Sequence, residues 1–165
     1  MEEYMCSSKV EEKRPLNILL LEDSRVDAHI LKIMLKNHVL CQCNVEHALN
    51  MQEAEAILKS EIDIDIILLD LGLPDTKDAL DTYERIKSIP RKIPVVVLTG
   101  ESNQDLASYL VDNGVEDFIN KCAAKKNPGQ IWSAIDFAMR RYERMIKKQG
   151  EKDMVIEWMM GGYSA

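Results

Sequence analysis

Four short apolar runs in this chain end on residues that have chemistry to offer. "LNILLL" stops before Glu22 and Asp23, "DIILLD" ends on Asp70, "IPVVVLT" ends on Thr99 with Gly100 next, and "EDFIN" is followed by Lys121. A carboxylate at the end of a buried run loses hydration, so burial alone does not select it. If the fold gathers Glu22, Asp23 and Asp70, they repel: at an effective dielectric near 20, a pair ~4 Å apart costs on the order of 4 kcal/mol. A divalent cation removes that cost. Magnesium suits best, because it prefers oxygen ligands, takes one or two carboxylates and keeps waters that a phosphoryl group can replace. Gly72 would let a backbone carbonyl approach the same ion.

The elements that must position these residues alternate along the chain. The first 15 residues have no hydrophobic period and end at Pro15, which reads as a flexible lead. After it, 16–21 reads as a strand, and "SRVDAHILKIMLKNH" as a helix with Val26, Ile30, Ile33 and Met34 on its apolar side. "CNVEHA" is a strand, and Asn50 three residues before Glu53 resembles a capping box opening the next helix. The strand ending on Asp70 precedes a helix within "DALDTYERIKS". The strand ending on Thr99 precedes "SNQDLASYLVDNG", which Ser102 caps and Asn113-Gly114 stops. The fifth strand leads to a long helix, "GQIWSAIDFAMRRYERMIKK", whose Ile131, Ile135, Ala138, Met139 and Tyr142 read as core packing. Runs 16–21, 65–69 and 93–98 are continuously apolar, as expected of parallel strands covered on both faces. The fold class is therefore α/β, a doubly wound three-layer sandwich. In such sheets ligands gather beyond the carboxyl ends of the strands, where the candidate residues lie.

At 165 residues the chain fits one domain with a short appendage. A net charge of −7 argues against a nucleic-acid binder, and Glu143 within "RRYERMIKK" makes that cluster a solvated face. No run approaches the ~18 apolar residues of a membrane span, and the polar, acidic start is no signal peptide, so a cytoplasmic protein is expected. Cys6, Cys41, Cys43 and Cys122 lack metal-site spacing, and Cys41 and Cys43 read as a reduced pair at a strand start. His29, His38 and His47 have no partner pattern and read as structural or surface residues.

The motifs "LLLEDS", "ILLDLGLPD", "VVVLTG" and "DFINK", in this order, resemble the response-regulator receiver domain of two-component phosphorelay signalling, the CheY-like flavodoxin-type fold. The resemblance covers approximately residues 16–146 and implies a five-stranded parallel sheet of order 2-1-3-4-5. It implies that Asp70 is the phosphoacceptor, that Asp23 binds Mg²⁺ directly and Glu22 through water, and that the Gly72 carbonyl is a further ligand. Thr99 would donate its hydroxyl to the phosphate, small Gly100 would leave room for a backbone N–H, and Lys121 would supply fixed positive charge. Thr99 and Phe118 would form the switch. The donor would be a sensor histidine kinase or a phosphotransfer protein. Catalysis would be limited to the domain's own aspartate, and the message would leave by phosphorylation-dependent contact with a downstream protein.

The sequence departs from the family pattern at Cys122, where a proline usually follows the lysine, at Phe118, which lacks a hydroxyl, and at Ala79, near a frequent glycine. A receiver-like scaffold that binds partners without phosphate is the alternative reading. An aspartate-nucleophile phosphatase of the haloacid dehalogenase kind would want a second aspartate where Gly72 stands, and a flavodoxin would want hydroxyls where "LEDSR" offers carboxylates. The domain is expected over 16–148, with 149–165 as a tail. Gly150 is expected to end the long helix, leaving Met154, Val155, Trp158 and Met159 on a short amphipathic segment. That segment would fold back on the domain, remain disordered, or dock on a partner, a second copy included.

Overall fold

The computed structural model describes residues 14–37, 42–90, 92–100, 106, 109–110, 112–113, 115 and 117–161, the side chains of 158, 159 and 161 excepted. In chain order the elements are β1 (Leu16–Leu21), α1 (Arg25–Lys36), β2 (Cys43–Ala48), α2 (Met51–Lys59), β3 (Ile66–Asp70), α3 (Ala79–Lys87), β4 (Val95–Thr99), β5 (Asp117–Asn120), α4 (Lys121–Lys126) and α5 (Gly129–Gly161). Most of the segment read as a helix between β4 and β5, with Ser102 and Gly114, lies outside the described residues. Leu106, Tyr109, Leu110 and Asp112 within it are helical.

The strands form one five-stranded sheet of order β2-β1-β3-β4-β5, parallel throughout. Side chains alternate across a strand, so each strand feeds two cores. Leu19, Leu21, Ile67, Leu69, Val95 and Val97 pack on one face with Met51, Ala54 and Leu58 of α2 and Tyr83 and Ile86 of α3. Ile18, Leu20, Ile66, Leu68, Val96 and Leu98 pack on the other with α1 and the first half of α5. The three central strands are buried on both faces over most of their length, and Asp70 and Thr99 are partly buried where β3 and β4 reach the sheet edge.

Local signals account for the helix starts. Ser24, Asn50 and Asp78 each accept a backbone N–H three residues ahead, from Asp27, Glu53 and Asp81. Two expectations need correction. The inner face of α1 is Ala28, Leu31 and Leu35, whereas Val26 and Ile33 are 69% and 46% exposed. The helix carries two apolar stripes, and the one that packs on the second core is Ala28, Leu31 and Leu35. Gly150 does not end the long helix: α5 runs unbroken for 33 residues, because one glycine costs only ~1 kcal/mol and good helix formers flank it. Gln149 also donates to Asp153 across it, at 2.8 Å. Arg14, the first described residue, pairs its guanidinium with the Asp65 carboxylate at 2.5 and 2.9 Å, and the expected lead before it lies outside the described residues.

Candidate functional site

The carboxyl edge of the sheet assembles the residues the strand ends supply. Glu22 follows β1 and is fully buried, Asp23 beside it is exposed, and Asp70 ends β3. One carboxylate oxygen from each lies within 4.8 Å of the others. Lys121, the first residue of α4, reaches into this cluster. Its Nζ lies 2.8 Å from Asp70 Oδ2 and 3.0 Å from Glu22 Oε2. It also stands 3.8 Å from Asp27 Oδ2. Cys122 in place of proline therefore leaves the ammonium pointed at the Asp70 carboxylate.

The other oxygen of each acid is also engaged. Asp70 Oδ1 accepts the Gly72 N–H at 3.1 Å, and Glu22 Oε1 accepts the Ser24 N–H at 3.2 Å. A Cβ at Gly72 would meet Asp70 Oδ1 at an ordinary 3.7 Å, so space alone does not require glycine there. Burial pushes the Glu22 carboxyl up to about 6; the Lys121 hydrogen bond opposes this and the Asp70 charge adds to it. Burial also works against the charge on Lys121, but its hydrogen bonds to Asp70 and Glu22 and their charges together outweigh it, so its pKa is raised. Both acids thus face a permanent cation.

Thr99 donates its hydroxyl to the Ile119 carbonyl at 3.3 Å, and together with Asp70, Gly72, Thr76 and Gly100 it lines an open cleft of about 420 Å³. A Cβ at Gly100 would meet nothing within 4 Å. Phe118 is 45% exposed, on the outer side of β5.

Sequence reasoning missed four residues that frame the site. Asp27 holds Lys125 at 2.8 Å as well as facing Lys121; it lies one helical turn from Asp23, which was the available signal. Asn120 caps α4 through the Ala123 N–H and donates to the Gly100 carbonyl, tying the Lys121 backbone to the Thr99 loop. Asp75, in the loop after Asp70, accepts the Met51 and Gln52 N–H groups at 2.9 and 3.0 Å, fastening that loop to α2. Thr82 is buried and donates to the Leu71 carbonyl within the same loop. His47 Nε2 donates to the Glu22 carbonyl at 2.8 Å, a structural contact at the β1 end.

The receiver-domain family of response regulators matches residues 18–132. The transcriptional regulatory protein KdpE of Staphylococcus aureus is 36% identical over 140 residues, which cover 84% of this chain and 54% of that protein. The chain thus spans about half the length of that relative. The response regulator Rcp1 of Synechocystis is 35% identical over 113 residues, covering 60% of this chain and 73% of that one. Among solved structures, the phosphorylated cyanobacterial phytochrome response regulator RcpA superposes with a TM-score of 0.61 at 32% identity, covering 74% of this chain and 91% of that one. The CheY-like receiver domain protein of Methanospirillum hungatei shares the fold at 20% identity, with a TM-score of 0.65 and coverage of 79% and 98%. No helix among the described residues is long and apolar enough to cross a membrane. With the family match spanning most of the chain, the 2-1-3-4-5 sheet and an acid cluster at its carboxyl edge, this chain belongs to the response regulator receiver domain family.

Proposed function

We propose that this receiver domain accepts a phosphoryl group on Asp70 from a phosphohistidine of a sensor histidine kinase or a phosphotransfer protein. The observation that carries the reading is the Lys121 ammonium 2.8 Å from the Asp70 carboxylate, at the mouth of a cleft that Thr99 shares. The histidine N–P bond breaks as an Asp70 O–P bond forms, and the imidazole leaves with the electron pair. Lys121 neutralises charge on the transferred group, which is where catalysis of phosphoryl transfer lies. The Thr99 hydroxyl gives up the Ile119 carbonyl to donate to the phosphate, and this rearrangement reaches the neighbouring Phe118.

The donor set fits a hard cation. Three carboxylates with oxygens within 4.8 Å of one another, Glu22, Asp23 and Asp70, would hold Mg²⁺ with the Gly72 carbonyl as a further ligand. When bound, Mg²⁺ supplies the second positive charge that phosphoryl chemistry needs. The domain acts on no other substrate; it forms and loses its own acyl phosphate and signals through phosphorylation-dependent contact with a downstream protein in the cytoplasm.

The test is phosphorylation with acetyl phosphate and with a panel of phosphorylated kinases in the presence of Mg²⁺, read on a phosphate-affinity gel. The wild type should shift and Asp70→Asn should not, with circular dichroism unchanged. A shift retained by Asp70→Asn moves the acceptor elsewhere. No shift of the wild type with any donor overturns the reading in favour of a scaffold that works without phosphate.

A further inference from the structure

The loop that follows the phosphoacceptor is fastened to a helix that supplies no residue to the acid cluster. Asp70 ends β3, and residues 71–78 lead from it to α3. Within this loop Gly72 donates its N–H to Asp70 Oδ1 at 3.1 Å, and its carbonyl is the further ligand assigned to the cation. The carbonyls on either side of it are engaged. The hydroxyls of Thr82 and Thr76, 2.6 Å apart, lie 3.1 Å from the Leu71 and Leu73 carbonyls respectively. Among the described residues the Gly72 carbonyl accepts no hydrogen bond, so of these three it is the one open to a cation.

Asp75 fixes the far part of the loop. Its Oδ1 accepts the Met51 N–H at 2.9 Å and its Oδ2 the Gln52 N–H at 3.0 Å, both from the first turn of α2. Its own carbonyl accepts from Arg85 of α3 at 3.2 Å, and the same guanidinium donates to Glu55 of α2 at 2.7 Å. Burial works against the Asp75 charge, but the two N–H bonds and the nearby Arg85 outweigh it and hold the carboxyl below its usual range. The start of α2 thus has two caps of different origin. Asn50, next to it in sequence, takes the Glu53 N–H at 2.8 Å, as an ordinary cap does. Water can take the other N–H groups of a helix start, so what the second cap adds is the place of the loop.

We propose that Asp75 is a positioning residue of the phosphoacceptor site: docked on the start of α2, it holds the 71–78 loop in the shape that leaves the Gly72 carbonyl open to the cation beside Asp70. The proposal rests on the reading that Glu22, Asp23 and Asp70 hold Mg²⁺. Asp75 is not one of those three acids, so it acts through the loop backbone. Its docking on α2 places its neighbour Thr76, whose hydroxyl meets Thr82 and the Leu73 carbonyl, and these frame the peptide units around Gly72. Loss of a group that directly orients a metal ligand weakens binding by ~10- to 100-fold. Asp75 stands further away, and an effect of about fivefold is expected.

Titration of the isotope-labelled full chain with Mg²⁺, followed by NMR at the Asp23 and Gly72 amides, tests this without any phosphoryl donor. Asp75→Ala should weaken Mg²⁺ binding about fivefold and speed amide exchange at Gly72. Asp75→Asn has one acceptor oxygen for two N–H groups and should fall between it and the wild type. Asn50→Ala is the control. It removes a cap from the same helix end without touching the loop, so it should lower the melting temperature and leave Mg²⁺ affinity unchanged. Unchanged amide shifts in β1 verify that each variant folds, and Asp75→Asn carries the comparison if Asp75→Ala does not. Equal affinity in the wild type and the Asp75 variants overturns the proposal alone. So does an equal loss in Asn50→Ala, which would make Asp75 no more than a second cap. A wild type that binds no Mg²⁺ overturns the reading of the acid cluster, and this proposal with it.

Discussion

The carboxyl edge of the sheet and the projecting half of α5 carry opposite misfits. At the sheet edge charged groups are withdrawn from water: Glu22 is fully buried, and Lys121 is 13% exposed between three acids. Along α5, apolar side chains stand in water, with Met154 65% and Met160 74% exposed. Neither region stabilises the fold, which rests on the two cores either side of the sheet. The first misfit is balanced inside the chain, by one lysine. The second has no balance among the described residues. A region whose misfit is balanced by one residue becomes unstable when that residue is lost, whereas side chains exposed on a projecting helix contribute little to the stability of the domain.

The largest effect that sharpens this contrast comes from Lys121→Ala. It leaves Glu22 and Asp70 side by side without a cation, and breaking a buried pair in this way costs about 3 kcal/mol. Urea unfolding in metal-free buffer should show that loss, and Mg²⁺ should return part of it. Thr99→Ala removes one neutral hydrogen bond, to the Ile119 carbonyl, and should cost about 1 kcal/mol or less. The two should also separate in function: Thr99→Ala still takes phosphate but signals poorly, while Lys121→Ala loses labelling. Equal destabilisation, or equal loss of labelling, would show that the charge balance does not rest on Lys121.

A smaller effect follows from Glu22. Its carboxyl is raised from an ordinary 4.5 to about 6, chiefly by burial, so the folded state holds that proton more tightly than the unfolded chain. The contribution is fully present below about 4.5 and is lost as the pH rises through about 6. At 1.36 kcal/mol per unit of pKa, the loss is on the order of 2 kcal/mol. The difference in stability between wild type and Glu22→Gln isolates it: near zero in acid, and favouring Gln at neutral pH without metal. Mg²⁺ should act in the opposite sense, raising the melting temperature of the wild type at neutral pH and losing that effect in acid, because ligation needs the ionised carboxylates. A pH-independent difference, or a melting temperature indifferent to millimolar Mg²⁺, would break the account of the acid cluster.

Much of the site was legible because each strand announces its end. Asp70 and Thr99 interrupt apolar runs, and Glu22 and Lys121 follow them directly, so period-2 elements of known length place all four on one edge. The sheet order came from the family resemblance, since nothing in a strand's own sequence names its neighbours. What stayed hidden depends on tertiary placement. Asp27 earns its role only once α1 takes the phase that turns Ala28 and Leu31 inward, and two apolar stripes made that phase ambiguous. Asp75 is an ordinary turn residue until α2 presents its first N–H groups. Gly150 looked like a stop because glycine is common after helices, but its small cost cannot end a helix that good formers continue on both sides.

The smallest effect belongs to Gly150→Ala. Glycine within a helix is about 1 kcal/mol less favourable than alanine, and a Cβ here would meet nothing within 4 Å, so the substitution should strengthen the projecting helix without a clash. That half is not part of either core, so the gain should stay local. At low micromolar concentration, amide hydrogen exchange around Ile146–Ile156 should slow by about fivefold, the change that 1 kcal/mol makes in an opening equilibrium. The urea midpoint of the domain should not move. A midpoint that rises with the local protection would mean that the projecting helix unfolds together with the sheet, and the contrast between the two regions would fail.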